Sequence, residues 1–136
     1  MRIVLDTNVL VSAIFWGGTP LRIIDLWRKN KIEAVASEPV LDEYLRTIEY
    51  LSKKIYRPDL YRRWTSAMSK MTLVKATKSF HLCRDPKDNM FIDCVVAGRA
   101  RYLITGDEDL LVIEKVMSTR IVGPSKFLEA HSQHRA

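Results

Sequence analysis

Sulfur and imidazole ligands are scarce in this chain. Its two cysteines, Cys83 and Cys94, form no CxxC pair, and its histidines are His81, His131 and His134, so neither a zinc cluster nor a disulfide framework is expected. Also lacking is any uninterrupted apolar stretch near the roughly 20 residues that span a bilayer, or the charged segment, apolar core and cleavage site of a secreted precursor. The expectation is a cytoplasmic protein with no membrane partner. No internal repeat or low-complexity tract interrupts the sequence. What is there is 136 residues, 47% hydrophobic and 28% charged, the size and balance of a single globular domain. Residues 1–131 are assigned to it and residues 132–136 to a flexible tail.

Twenty-two Lys+Arg against 16 Asp+Glu leave a net charge of +6, which favours a polyanionic partner such as nucleic acid. The bases are locally dense between Arg46 and Arg63, where Lys53, Lys54, Arg57 and Arg62 interleave with Tyr50, Tyr56 and Tyr61. This stretch fits a phosphate-contacting surface and a solvated helix face equally well.

Hydrophobic spacing alternates between strands and helices. An apolar run ends at Asp6, and a short helix follows from Thr7 or Asn8 to about Phe15, stopping at Gly17-Gly18. Thr19-Pro20 has the form of an N-cap with proline at the first helical position, for a helix ending near Asn30. Ile32 to Ala36 is a second strand, and Ser37 can cap a helix whose apolar stripe is Val40, Leu41, Tyr44, Leu45, Ile48 and Leu51. A helix from about Pro58 to Lys70 and a strand from Met71 to Ala76 come next. Asp85-Pro86 starts a helix that is apolar on nearly every face and therefore buried. Tyr102 to Thr105 and Ile121-Val122 are strands, and Pro124 to Ala130 is a terminal helix. This alternation, with short connections, predicts an α/β fold: a three-layer α/β/α sandwich around a central, mainly parallel sheet.

In such a sheet, sites form beyond the carboxyl ends of the strands. Asp6 and Asp107 belong to that edge, Asp88 lies in the first turn of the buried helix, and Glu43 stands roughly 9 Å along its own helix. Four carboxylates can therefore meet in one cleft. Each also has a plainer explanation. Asp6 could cap the helix after it, Asp88 could simply sit well near a positive helix end, Asp107 could be a turn residue, and Asp109 could cap Leu110-Leu111. Periodicity does not choose Glu43 over Asp42, while Asp93, an acid inside an apolar helix, needs a partner and could support a metal ligand or be an additional one. Asn8, Ser12 and Thr105 are small polar groups placed to hold an aspartate, or to satisfy local backbone. Like charges gathered in a partly desolvated cleft require protons or a cation, and Mg²⁺ suits oxygen ligands and phosphate substrates. The chemistry implied is phosphodiester hydrolysis.

Leu5-Asp6-Thr7-Asn8-Val9, Leu41-Asp42-Glu43-Tyr44, Asp85-Pro86-Lys87-Asp88-Asn89 and Tyr102 to Leu111 together resemble a PIN domain, in order and over nearly the whole chain. Within that superfamily the chain is similar to the small prokaryotic PIN proteins classed as toxin components of toxin–antitoxin systems, related to the VapC-type ribonucleases. The resemblance implies a Rossmann-like sandwich, RNA as substrate, Mg²⁺ or Mn²⁺ as cofactor, and Asp6, Glu43, Asp88 and Asp107 as the catalytic and metal-binding acids. It also implies a cognate antitoxin protein and a homodimer as partners. One departure stands out: many members carry a second acid directly after the third, where this chain has Asn89.

Two other functions compete. A catalytically weak or inactive PIN-fold module could bind RNA or protein without cleaving. A phosphatase with an aspartyl nucleophile also begins with an aspartate at a strand tip, but its chemistry wants a general acid two residues on, where this chain has Asn8.

Overall fold

The structure, a computed structural model, describes residues 1–135. Six strands, β1 (Arg2–Leu5), β2 (Glu33–Ser37), β3 (Thr72–Val74), β4 (Tyr102–Ile104), β5 (Lys115–Val116) and β6 (Thr119–Val122), form one sheet in the order β3-β2-β1-β4-β6-β5. All neighbours are parallel except β5, which pairs antiparallel with β6. Helices α1 (Thr7–Phe15), α2 (Gly18–Arg28), α3 (Glu38–Lys54), α4 (Pro58–Met68), α5 (Asn89–Gly98), α6 (Glu108–Leu111) and α7 (Pro124–Arg135) complete the fold, with a single 3-10 turn at Pro86–Asp88. The predicted α/β/α sandwich with a mainly parallel sheet is what forms.

Burial follows sequence closely in the middle of the sheet. Ile3, Val4 and Leu5 of β1 and Leu103 and Ile104 of β4 are fully enclosed, as parallel strands covered on both faces require. α5 packs along β1, β2, β3 and β4. A Cβ at Gly98 would sit 2.6 Å from Val35 Cγ1, so only glycine lets the end of α5 approach β2 this closely. α7 packs on β4, where Phe127 meets Tyr102 edge-on with centroids 5.3 Å apart. No single helix among the described residues is long and apolar enough to cross a membrane.

Several boundaries differ from the sequence expectation. α2 begins at Gly18 rather than after a Thr19 cap, because Gly17, at φ +75°, turns the chain early; Pro20 then falls in the first turn, where a missing N–H costs nothing. Asp85-Pro86 opens the 3-10 turn, with Asp85 Oδ1 accepting from the Lys87 amide at 3.0 Å, and α5 proper starts at Asn89. The expected tail is helical through residue 135, and Ala136 lies outside the described residues. β5 was not expected; it exists only through its hairpin with β6 across Met117-Ser118, with Met117 at φ +53°. That loop lacks the Asn-Gly or Asp-Gly signal of such turns.

Candidate functional site

The direction of strand order reverses between β1, which leads to β2 and β3, and β4, which leads to β6. A crevice opens at the carboxyl ends of strands flanking such a reversal, and Asp6 and Asp107 follow these two strands. Pairing of Leu5 with Ile104, extended by the Asp6 amide donating to Ile104 O at 2.9 Å, sets Asp6 beside Thr105. The Thr105 hydroxyl donates to Asp6 Oδ2 at 2.6 Å and accepts from the Asp107 amide at 3.0 Å. One buried hydroxyl thus fixes one acid directly and the other through its backbone. Asp6 occupies the cap position of α1 without making a side-chain cap bond. Burial raises its pKa, opposed chiefly by the Thr105 hydroxyl, with the charges of Asp107 and Glu43 adding to the rise.

Asp107 caps α6, its Oδ1 accepting from the Asp109 amide at 2.9 Å. The cap of that short helix is therefore Asp107, not Asp109. Ligand atoms of Asp88, Asp107 and Asp109 all lie within 4.8 Å of one another. Asp88 makes no cap bond to α5, and its Oδ2 is buried with no hydrogen-bond partner. Burial, then the neighbouring Asp107 carboxylate, then the charges of Asp6 and Asp85, push the Asp88 pKa up to about 7. Arg84 Nη1 stands 4.0 Å from Asp109 Oδ1. Among the described residues, Asp6, Asp88 and Asp107 form no ion pair.

Glu43 enters from α3. Its Oε2 accepts a short hydrogen bond from the Thr7 hydroxyl, and it acts electrostatically on Asp6. Tyr44, fully buried beside it, donates to Leu5 O and ties α3 to the end of β1. Asp42 is exposed on the opposite side of the stripe, so the structure separates the two acids that periodicity left equal. Asp93 also finds a partner. Its Oδ1 accepts from the Phe80 amide at 2.8 Å, anchoring the connection between β3 and α5. Asn89 does the same for a later part of that connection, accepting from the Cys83 amide at 3.0 Å. Asn8 is exposed. Thr7 has no sequence signal beyond its place at a helix start in the first motif, and Arg84 has none.

The donor set is all oxygen: carboxylates, a threonine hydroxyl nearby, and no thiolate or imidazole in the cluster. Cys83, the closest thiol, is pushed up to about 11 by burial and by the surrounding acids, so it stays protonated. An orphaned buried carboxylate oxygen facing further carboxylates fits a hard divalent cation such as Mg²⁺ or Mn²⁺.

A sequence model of the PIN domain matches residues 2–109. The chain is 32% identical over 117 residues to an uncharacterised protein of Methanocaldococcus jannaschii, covering 82% of this chain and 74% of that one. Its fold is similar to a chain in the crystal structure of VapBC2 from Rickettsia felis bound to a DNA fragment from their promoter, with a TM-score of 0.61, 16% identity, and coverage of 89% and 97% of the two chains.

Proposed function

We propose that this chain, which belongs to the PIN domain family, is a Mg²⁺- or Mn²⁺-dependent endoribonuclease and the toxin of a toxin–antitoxin pair. The single observation that carries this is the orphaned Asp88 oxygen beside Asp107 and Asp109 at the carboxyl edge of the sheet. A divalent ion held there supplies a Lewis acid for the scissile phosphate and lowers the pKa of an attacking water.

The chain's own residues have distinct tasks. Asp6 and Asp107 hold the cation, and Asp88 completes or supports its shell. Thr105 commits its proton to Asp6 Oδ2, which fixes the rotation of a carboxylate that would help hold the ion. Glu43, steadied by the Thr7 hydroxyl, orients the attacking water and takes its proton. Arg84, weakly paired with Asp109 and otherwise exposed, stands where a phosphate on the substrate strand would compete for it. The same proposal places the protein in the cytoplasm with a cognate antitoxin and as a homodimer.

The test is cleavage of end-labelled RNA by protein purified free of contaminating nuclease. Cleavage with Mn²⁺ or Mg²⁺, abolished by EDTA and by Asp6→Asn, is expected. RNA binding that ignores both EDTA and Asp6→Asn, with no cleavage, would instead establish the non-cleaving binding module.

A further inference from the structure

Across the sheet from the acids, at the amino ends of β4 and β6, Arg99, Arg101, Lys115, Ser118 and Arg120 line a groove into which no acidic side chain projects. The four bases are exposed, and none makes a side-chain hydrogen bond or ion pair among the described residues. Their placement is enforced by backbone. Lys115 and Arg120 face each other directly across the β5–β6 ladder, and the Arg120 amide donates to Arg101 O at 2.9 Å. Arg99 closes α5 in the left-handed conformation, at φ +51°. Like charges directly opposite on a ladder are unfavourable, and neither Lys115 nor Arg120 forms an ion pair among the described residues.

This groove runs on into a second one. The two share Lys115 and Arg120, and the second continues along Ile121 and Val122 to Lys126 at the start of α7, with Glu114 on its wall. The bases thus form a track from the amino edge along β6 toward the edge where the carboxylates lie. β4 ends at Ile104 and the loop after it carries the chain on to Asp107, a separation from Tyr102 of at most about 17 Å for extended chain.

We infer that this track binds the sugar-phosphate backbone of the RNA strand beyond the cleavage point. The inference rests on the ribonuclease function proposed above. It gives part of the surplus positive charge a use: in the base-rich stretch of α3 and α4, Lys53 and Arg57 are paired with Glu49 and Asp59, whereas every base of the track lacks an ion pair among the described residues.

The experiment compares a trinucleotide with a single strand of about 16 nucleotides as substrates of the full chain with Mn²⁺, alongside binding of the longer strand in EDTA. For Arg101→Gln/Arg120→Gln, the KM of the longer strand should rise with kcat unchanged. The salt dependence of its binding should flatten by about 1.4 in log–log slope, the loss of two phosphate contacts. Trinucleotide kinetics should not change, and Arg101→Lys/Arg120→Lys should restore the wild-type slope. An unchanged KM and slope in the glutamine variant, with wild type cleaving normally, would overturn the track and leave the ribonuclease intact. No cleavage of either RNA by wild type would overturn both.

Discussion

The two edges of one sheet carry opposite unsolved electrostatic problems. At the carboxyl edge, Asp6, Asp88, Asp107 and Asp109 converge from β1, the 3-10 turn, and the loop and helix after β4, and Asp88 keeps a buried oxygen without a donor. At the amino edge, Arg99, Arg101, Lys115 and Arg120 meet without an ion pair among the described residues. The acids are drawn into a partly enclosed crevice where burial raises pKa values; the bases stay in water, where their mutual repulsion is screened. Enclosure therefore makes the first edge a place for a small, hard ion, and exposure makes the second a place for a long, flexible polyanion.

The largest effect that would break this contrast is at the acids. Asp107→Asn should lower the cleavage rate by about 10²- to 10³-fold, as loss of preorganised charge at a reaction centre does; activity near wild type would remove Asp107 from the site. Thr105→Val keeps shape and charge but frees Asp6 and the Asp107 amide, and should cost roughly 10- to 100-fold in metal affinity or activity, read from Mn²⁺ titration of the cleavage rate.

Gly98→Ala tests how the crevice is held together. Its methyl would meet Val35 at 2.6 Å, so α5 must move or Val35 must repack, costing about 1–3 kcal/mol in denaturant unfolding; a smaller companion change, Val35→Ala in the same background, should recover part of that loss.

A subtler effect comes from Asp88. Its pKa is raised from 3.8 to about 7 in the folded protein, so the folded state holds this proton more tightly than the unfolded chain. The resulting stabilisation is full below about 3.8 and is lost as pH rises through about 7. Metal-free wild type should lose melting temperature across that window relative to Asp88→Asn, and Mn²⁺ should reverse the loss by binding the ionised form. The smallest effect belongs to Arg57 and Asp59, an exposed pair joined by bonds of 3.0 and 2.9 Å: Asp59→Asn should leave both stability and RNA cleavage unchanged.

How much was legible beforehand follows from how local each signal is. The strand-tip position of Asp6 and the Thr-Gly-Asp after β4 could be read because apolar runs end there. Glu43 could not be told from Asp42, since both flank the stripe, until the helix was docked and Thr7 supplied a donor. Asp93 was legible as an acid in need of a partner, yet that partner, the Phe80 amide, lies in a connection with no periodicity to place it. The basic track was invisible for the opposite reason to the base-rich stretch of α3 and α4. That stretch is contiguous in sequence and partly paired, Lys53 with Glu49 and Arg57 with Asp59, whereas the track is assembled from three separated segments, one of them an edge strand without a turn signal.

Everything proposed for the carboxyl edge depends on a cation being held there. The most direct test is anomalous diffraction from a crystal soaked in Mn²⁺. A peak within coordination distance of Asp107 and Asp6, with Asp88 as the next oxygen, is the expected result. An empty carboxyl edge under Mn²⁺ concentrations that support RNA cleavage, or a peak bound elsewhere, would contradict it.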